Sequence, residues 1–94
     1  MNKMNTCEKH KRILAGWNAD LRTLAEELHR LRYDSVRGFY EHSATELQRQ
    51  SEGDRAGGRE QLADLLAEAA RLASELEKVL ARIWKLCRPH MKDE

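Results

Sequence analysis

Two cysteines stand in the chain, Cys7 and Cys87, and each has a histidine three residues on, His10 and His90. On a helix, residues three apart project from one side, so each Cys-x-x-His pair can grip one ion with two donors. Two thiolates and two imidazoles fill the tetrahedral shell that zinc prefers. A shell completed by four protein ligands is structural, because no position stays open for water or substrate. The spacing, one pair near each end of the chain, is not that of the common zinc fingers and points to no family. Cobalt, nickel or iron would accept the same donors less distinctively. Two other readings stand beside the metal. One is a Cys7–Cys87 disulfide or redox pair. The other is two unrelated cysteines, with Cys87 a small core residue on an apolar stripe.

For the four residues to meet, two long helices must run antiparallel. The second half of the chain predicts one of them, over about 58–88. Leu62, Leu65, Ala69, Leu72, Leu76, Val79, Ile83 and Leu86 keep a strict heptad, and Leu66, Ala73, Leu80 and Cys87 form a stripe beside it. Acids in the early turns and bases in the last turns suit the helix macrodipole, and Pro89 ends the run. The first half opens with Thr6 as a helix cap and keeps its own heptad through Leu14, Trp17, Leu21, Leu24, Leu28 and Leu31. There the register fails. One reading continues the helix over about 6–50 with an eleven-residue drift. The other ends it near 37, with Gly38 as a left-handed cap, and starts a short helix over 43–50 at the capping box Ser43-Ala44-Thr45-Glu46. The balance favours a break near Gly38. Residues 51–58 read as a loop or a frayed helix start.

Placing Cys7 opposite His90 and His10 opposite Cys87 sets a register. It puts Leu14 on Ile83, Trp17 on Leu80, Leu21 on Leu76, Leu24 on Ala73, Leu28 on Ala69 and Leu31 on Leu66. Every pair is apolar, although a slip of seven residues would match as well. The fold class is therefore all-α: one helical domain over 1–94, built as an antiparallel helical hairpin with coiled-coil character. Each helix carries an apolar face too wide for one neighbour, so a homodimer closing into a four-helix bundle is expected. A three-helix monomer is the alternative, with Val36, Phe39, Tyr40, Ala44 and Leu47 closing the face.

Composition bounds the function. The chain is 40% apolar and 35% charged, has five Gly and one Pro, and carries a net charge of +1. That is the profile of amphipathic helices, and it gives no global argument for nucleic acid. No apolar run approaches membrane-spanning length, no leader-like segment opens the chain, and two cysteines make no secreted disulfide framework. The expectation is a soluble, cytoplasmic protein without a membrane partner. The only local charge signal is at the two termini. Lys9, Lys11 and Arg12 would gather with Arg82, Lys85 and Arg88 at the open end of a hairpin.

Other chemistry-bearing residues carry less. His29 and His42 read as solvated surface histidines. Glu26 with His29 has the spacing of a di-metal bundle motif but occurs once. Trp17 and Trp84 read as packing near the proposed metal end, and Phe39 and Tyr40 as a cap or dimer contact. No phosphate loop and no nucleophile–base set emerges. Three readings follow. The first is a non-enzymatic interaction or regulatory module stapled by a Cys2His2 zinc site, acting on an unidentified protein partner. The second is a nucleic-acid-binding accessory protein using the basic tip. The third, the least supported, is a thiol- or metal-dependent enzyme, which needs an open coordination position.

Overall fold

The computed structural model describes residues 20–90. They form three α-helices, α1 (Leu21–Leu28), α2 (Tyr33–Ala56) and α3 (Glu60–Cys87), followed by one turn of 3-10 helix, Arg88–His90, and no strand. The second long helix therefore stands where its heptad and charge pattern put it. The first does not. Where one helix over 6–37 or 6–50 is expected, the described part of that span holds two, separated at residues 29–32.

The hairpin is α2 on α3, and these are the two helices that pack along each other. Its turn is built by glycines. Gly57 closes α2, and Gly58 takes φ of +83°, the only left-handed residue among those described. The Arg59 N–H bonds back to the Asp54 carbonyl at 2.8 Å and the Gly58 N–H to the Arg55 carbonyl at 3.0 Å. This is the Schellman arrangement, which consumes the last carbonyls of the helix and reverses the chain in three residues. So α2 runs through the stretch 51–56, which the sequence marks as a loop or a frayed helix start, and the connection is the three residues 57–59.

The break falls before Gly38. Gly38 lies inside α2 with helical backbone, and nothing comes within 4 Å of where its Cβ would be. A glycine in a helix interior costs only ~0.5–1 kcal/mol relative to alanine, too little to end a helix whose other face is packed. The capping box also dissolves. The Ser43 hydroxyl donates to the Phe39 carbonyl at 2.9 Å, one turn back within a continuous helix, and 43–50 is no separate element.

What ends α1 is a change of face. Leu21, Leu24, Leu28 and Leu31 follow one heptad. The inward residues of α2, Val36, Tyr40, Ser43, Leu47, Ser51 and Asp54, fall one or two positions beyond its continuation at 35, 38, 42, 45, 49 and 52. One position is about 100° of rotation, so a straight helix cannot turn both rows toward α3. The chain resolves the conflict with a tight last turn at Arg30 and Leu31 and an extended Arg32. Arg32 then donates from Nε and Nη2 to the two carboxylate oxygens of Asp34, at 3.1 and 2.7 Å, and Asp34 is the acid in the first turn of α2. That pairing holds the Asp34 carboxyl below the usual range. At the other end of α1, Asp20 caps the helix by accepting from the Thr23 N–H at 2.9 Å, which lowers its own pKa.

Ser51 sits on Ala63 and Arg37 on Glu77, so the two helices are antiparallel. That register supersedes the pairing of Leu21, Leu24, Leu28 and Leu31 with α3. The pairs Leu14–Ile83 and Trp17–Leu80, and those of Cys7 and His10, lie outside the described residues. The contact is made of small groups: Val36, Ser51, Ala63 and Ala70 are buried, with Leu80 and Asp54. The described structure measures 55 × 29 × 15 Å. Its least dimension is little more than the ~10–12 Å of one helix with its side chains, so the described residues form no second layer.

Candidate functional site

Small residues let two helices approach closely, and here they use the stripe of α3 that contains Ala63, Leu66, Ala70, Ala73, Leu80 and Cys87. The strict heptad beside it points elsewhere. Leu65 is 65% exposed, Leu72 52%, Leu76 41%, Val79 46% and Leu86 77%. These residues follow alternating steps of three and four, with Ala69 and Ile83 half-buried in the gaps, so they form one row. From Leu65 to Leu86 it runs about 32 Å at 1.5 Å per residue. Scattered exposed leucines are ordinary, but a continuous row is the mark of a surface that meets another.

The open end of the hairpin is the second feature. The Arg32 guanidinium lies over the Trp84 ring, 5.1 Å from its centroid, and so pins the break to α3. On the other side of the break, the Tyr40 hydroxyl and His29 Nε2 are 3.2 Å apart, and the Phe39 and Tyr40 rings meet edge to face. His29 is exposed, as expected, but engaged. His42 is exposed on α2, beside a shallow patch formed with Phe39, Ser43, Glu46 and Leu47.

Of the expected zinc ligands, Cys87 is the half-buried last residue of α3 and a free thiol, and His90 is exposed at the end of the 3-10 turn. Cys7 and His10 lie outside the described residues, as do Lys9, Lys11 and Arg12. Among the described residues no group of three or more His, Cys, Asp or Glu side chains is gathered for a metal. Arg82, Lys85 and Arg88 are all exposed near the same end. No described helix is long and apolar enough to cross a membrane.

Ion pairs cluster elsewhere. Arg55 bonds Glu60 at 2.6 Å and Asp64 at 2.9 Å and so ties the helices near the turn. Buried Asp54 accepts from Arg59, and Arg37 pairs with Glu77 near the middle of α3. On the outside of α2, Glu46 accepts from Arg49 and Gln50, which pulls its pKa down to about 2. An open groove of about 590 Å³ lies between the helices, lined by Ala44, Gln48, Arg49, Ala67, Arg71 and Ser74 among others.

No family model matches the chain, and neither a curated protein nor a solved structure matches it.

Proposed function

We propose that the chain is a non-enzymatic helical interaction module that works as a homodimer, two α2–α3 hairpins closing into a four-helix bundle. One observation carries this reading: Leu65, Leu72, Leu76, Val79 and Leu86 stand exposed in one row of α3 between residues 65 and 86. A hairpin only one layer thick cannot cover it, and a second hairpin can. Sedimentation equilibrium tests the reading. The expected mass is that of two chains; a single chain at about 100 µM, where even a weak dimer of micromolar Kd is saturated, overturns it.

The proposal includes a zinc staple formed by Cys7, His10, Cys87 and His90. It rests on the matched spacing of the two pairs and on the position of Cys87 and His90 at the open end, where a hairpin has no covalent link. Purified protein should carry stoichiometric zinc, melt at a lower temperature with chelator, and lose both properties in Cys87→Ser. Metal-free protein whose melting ignores chelator discards the staple and leaves the dimer. The exposure of Arg82, Lys85 and Arg88 supports a second reading, contact of this tip with nucleic acid. Salt-dependent retardation of an oligonucleotide would support that contact, and its absence at low salt would remove it.

A further inference from the structure

We infer that the second copy docks on the exposed row of α3 in antiparallel orientation, α3 against α3, with Glu68 of each copy facing Arg82 of the other. This rests on the dimer reading above and adds the surface, the direction and the pair that fixes them.

The row itself defines the surface. An antiparallel twofold centred between Leu72 and Leu76 sets Leu72 of one copy against Leu76 of the other. The same register sets Ala69 against Val79, Leu65 against Ile83 and Leu62 against Leu86. Every layer is apolar, and large residues face the one small one, Ala69.

Charge chooses the direction. Along α3 the acids Glu60, Asp64 and Glu68 come first and the bases Lys78, Arg82 and Lys85 come last, with Arg71, Glu75 and Glu77 between them. Antiparallel copies lay the acidic half on the basic half, whereas parallel copies lay like on like. Glu60 and Asp64 are engaged by Arg55 within the hairpin, so they contribute less. Glu68 is different. It flanks the row one residue before Ala69, is exposed, and meets only the short-range partner Arg71 at 3.0 Å. Arg82 flanks the row in the same way one residue before Ile83, and is also exposed. The twofold repeats the Glu68–Arg82 contact, giving two per dimer. Glu75 approaches its own copy near the axis, the one like-charge approach, with Lys78 three residues away to offset it.

Within the described residues the rival occupant is α1, whose eight residues span about 12 Å against the roughly 32 Å of the row. It also sits outside the α2–α3 contact.

A charge-swap series tests the inference. Glu68→Lys and Arg82→Glu are made singly, and dimer dissociation is measured by sedimentation with circular dichroism as the folding control. Each single variant creates two like-charge contacts per homodimer, and should dimerise about three- to tenfold more weakly than wild type. Mixing the two should restore affinity. In the mixed dimer the introduced lysine of one chain meets the introduced glutamate of the other, and the second contact is the native Glu68 with Arg82. A parallel pair does not bring these positions together, and neither does the chain's own helix. A wild-type dimer whose single variants associate normally, or whose mixture gains nothing, overturns the docking geometry while the dimer stands. A monomeric wild type overturns both. Rescue in the mixture alone, with folding unchanged throughout, is the result that a general loss of stability cannot imitate.

Discussion

The two long helices make the same contact and differ everywhere else. Outside that contact α2 is polar. Glu46, Arg49 and Gln50 bond one another, Gln48 reaches Glu52 at 3.3 Å, and the exposed large apolar residues are confined to Tyr33 and Phe39 in its first turns. On α3 the buried side chains are Ala63, Ala70 and Leu80, with Leu66 half-buried, while Leu65, Leu72, Leu76, Val79 and Leu86 face outward. Hydrophobic burial normally sorts residues the other way, since a fully buried leucine contributes about 1.5–3 kcal/mol and an exposed one nothing. α2 is completed by the hairpin; α3 leaves an apolar row exposed. The difference is why the proposed dimer contact is assigned to α3.

The sharpest way to break this comparison is to exchange sizes between the faces of α3. Ala63 is fully buried, so Ala63→Leu must push the helices apart. It should destabilise the hairpin by about 1–3 kcal/mol, as overpacking does. Leu65→Ala, two residues on, should change unfolding of the dilute monomer by less than about 0.5 kcal/mol, as surface changes do. Urea denaturation at low protein concentration measures both. Equal effects would mean that the two faces are not distinct.

The turn offers a comparison of two glycines. Gly58 needs its left-handed backbone, and a Cβ there costs about 1–2 kcal/mol, so Gly58→Ala should destabilise by that amount. Gly38 has helical backbone and open space, so Gly38→Ala should stabilise by about 0.5–1 kcal/mol. Opposite signs place the reversal at Gly58; equal losses would restore a break at Gly38. Beside the turn, the buried Ser51 hydroxyl donates to the Ala63 carbonyl at 2.7 Å. Ser51→Ala should remove about 1 kcal/mol in the same assay, the usual net worth of such a bond.

These residues also explain what could be read in advance. α3 is legible because its apolar heptad, early acids and late bases all agree. Its partner is not, because α2 buries Val36, Ser51 and Asp54 and half-buries Tyr40, Ser43, Ala44 and Leu47, a row whose apolar signal is broken by polar residues. Leu14 to Leu31 make a louder pattern, and pairing them with α3 satisfies every apolar position. Close packing selects differently, since small residues admit a short helix–helix distance that leucines forbid. The failure of register after Leu31 is a true signal of a break. Its position is easily misplaced because glycine is a conspicuous breaker, whereas Arg32 gives no such warning. Half of the proposed metal set, Cys87 and His90, falls at the open end of the hairpin, and the other half lies outside the described residues. The exposed row is visible in the sequence as a heptad. Periodicity shows that a face is apolar without saying which neighbour covers it.

The smallest effect concerns the polar outside of α2. Glu46 accepts hydrogen bonds from Arg49 and Gln50, and these hold its folded pKa at about 2, below the usual 4.5. A depressed carboxyl stabilises the folded state above its unfolded pKa, and that contribution drains away as pH falls through the folded value. Wild type should therefore melt slightly above Glu46→Gln at about pH 6, and the gap should close progressively from about 4.5 downward, vanishing near about pH 2. Asp20 and Asp34 are lowered in the same direction and lie outside the Glu46 cluster, so both proteins lose their contribution equally and the difference isolates Glu46. The site is exposed, so the gap should be small and should shrink in high salt. A gap that persists at the acid end, or grows there, would mean that Glu46 acts through packing, and that the outside of α2 is not the solvated face that sets it apart from α3.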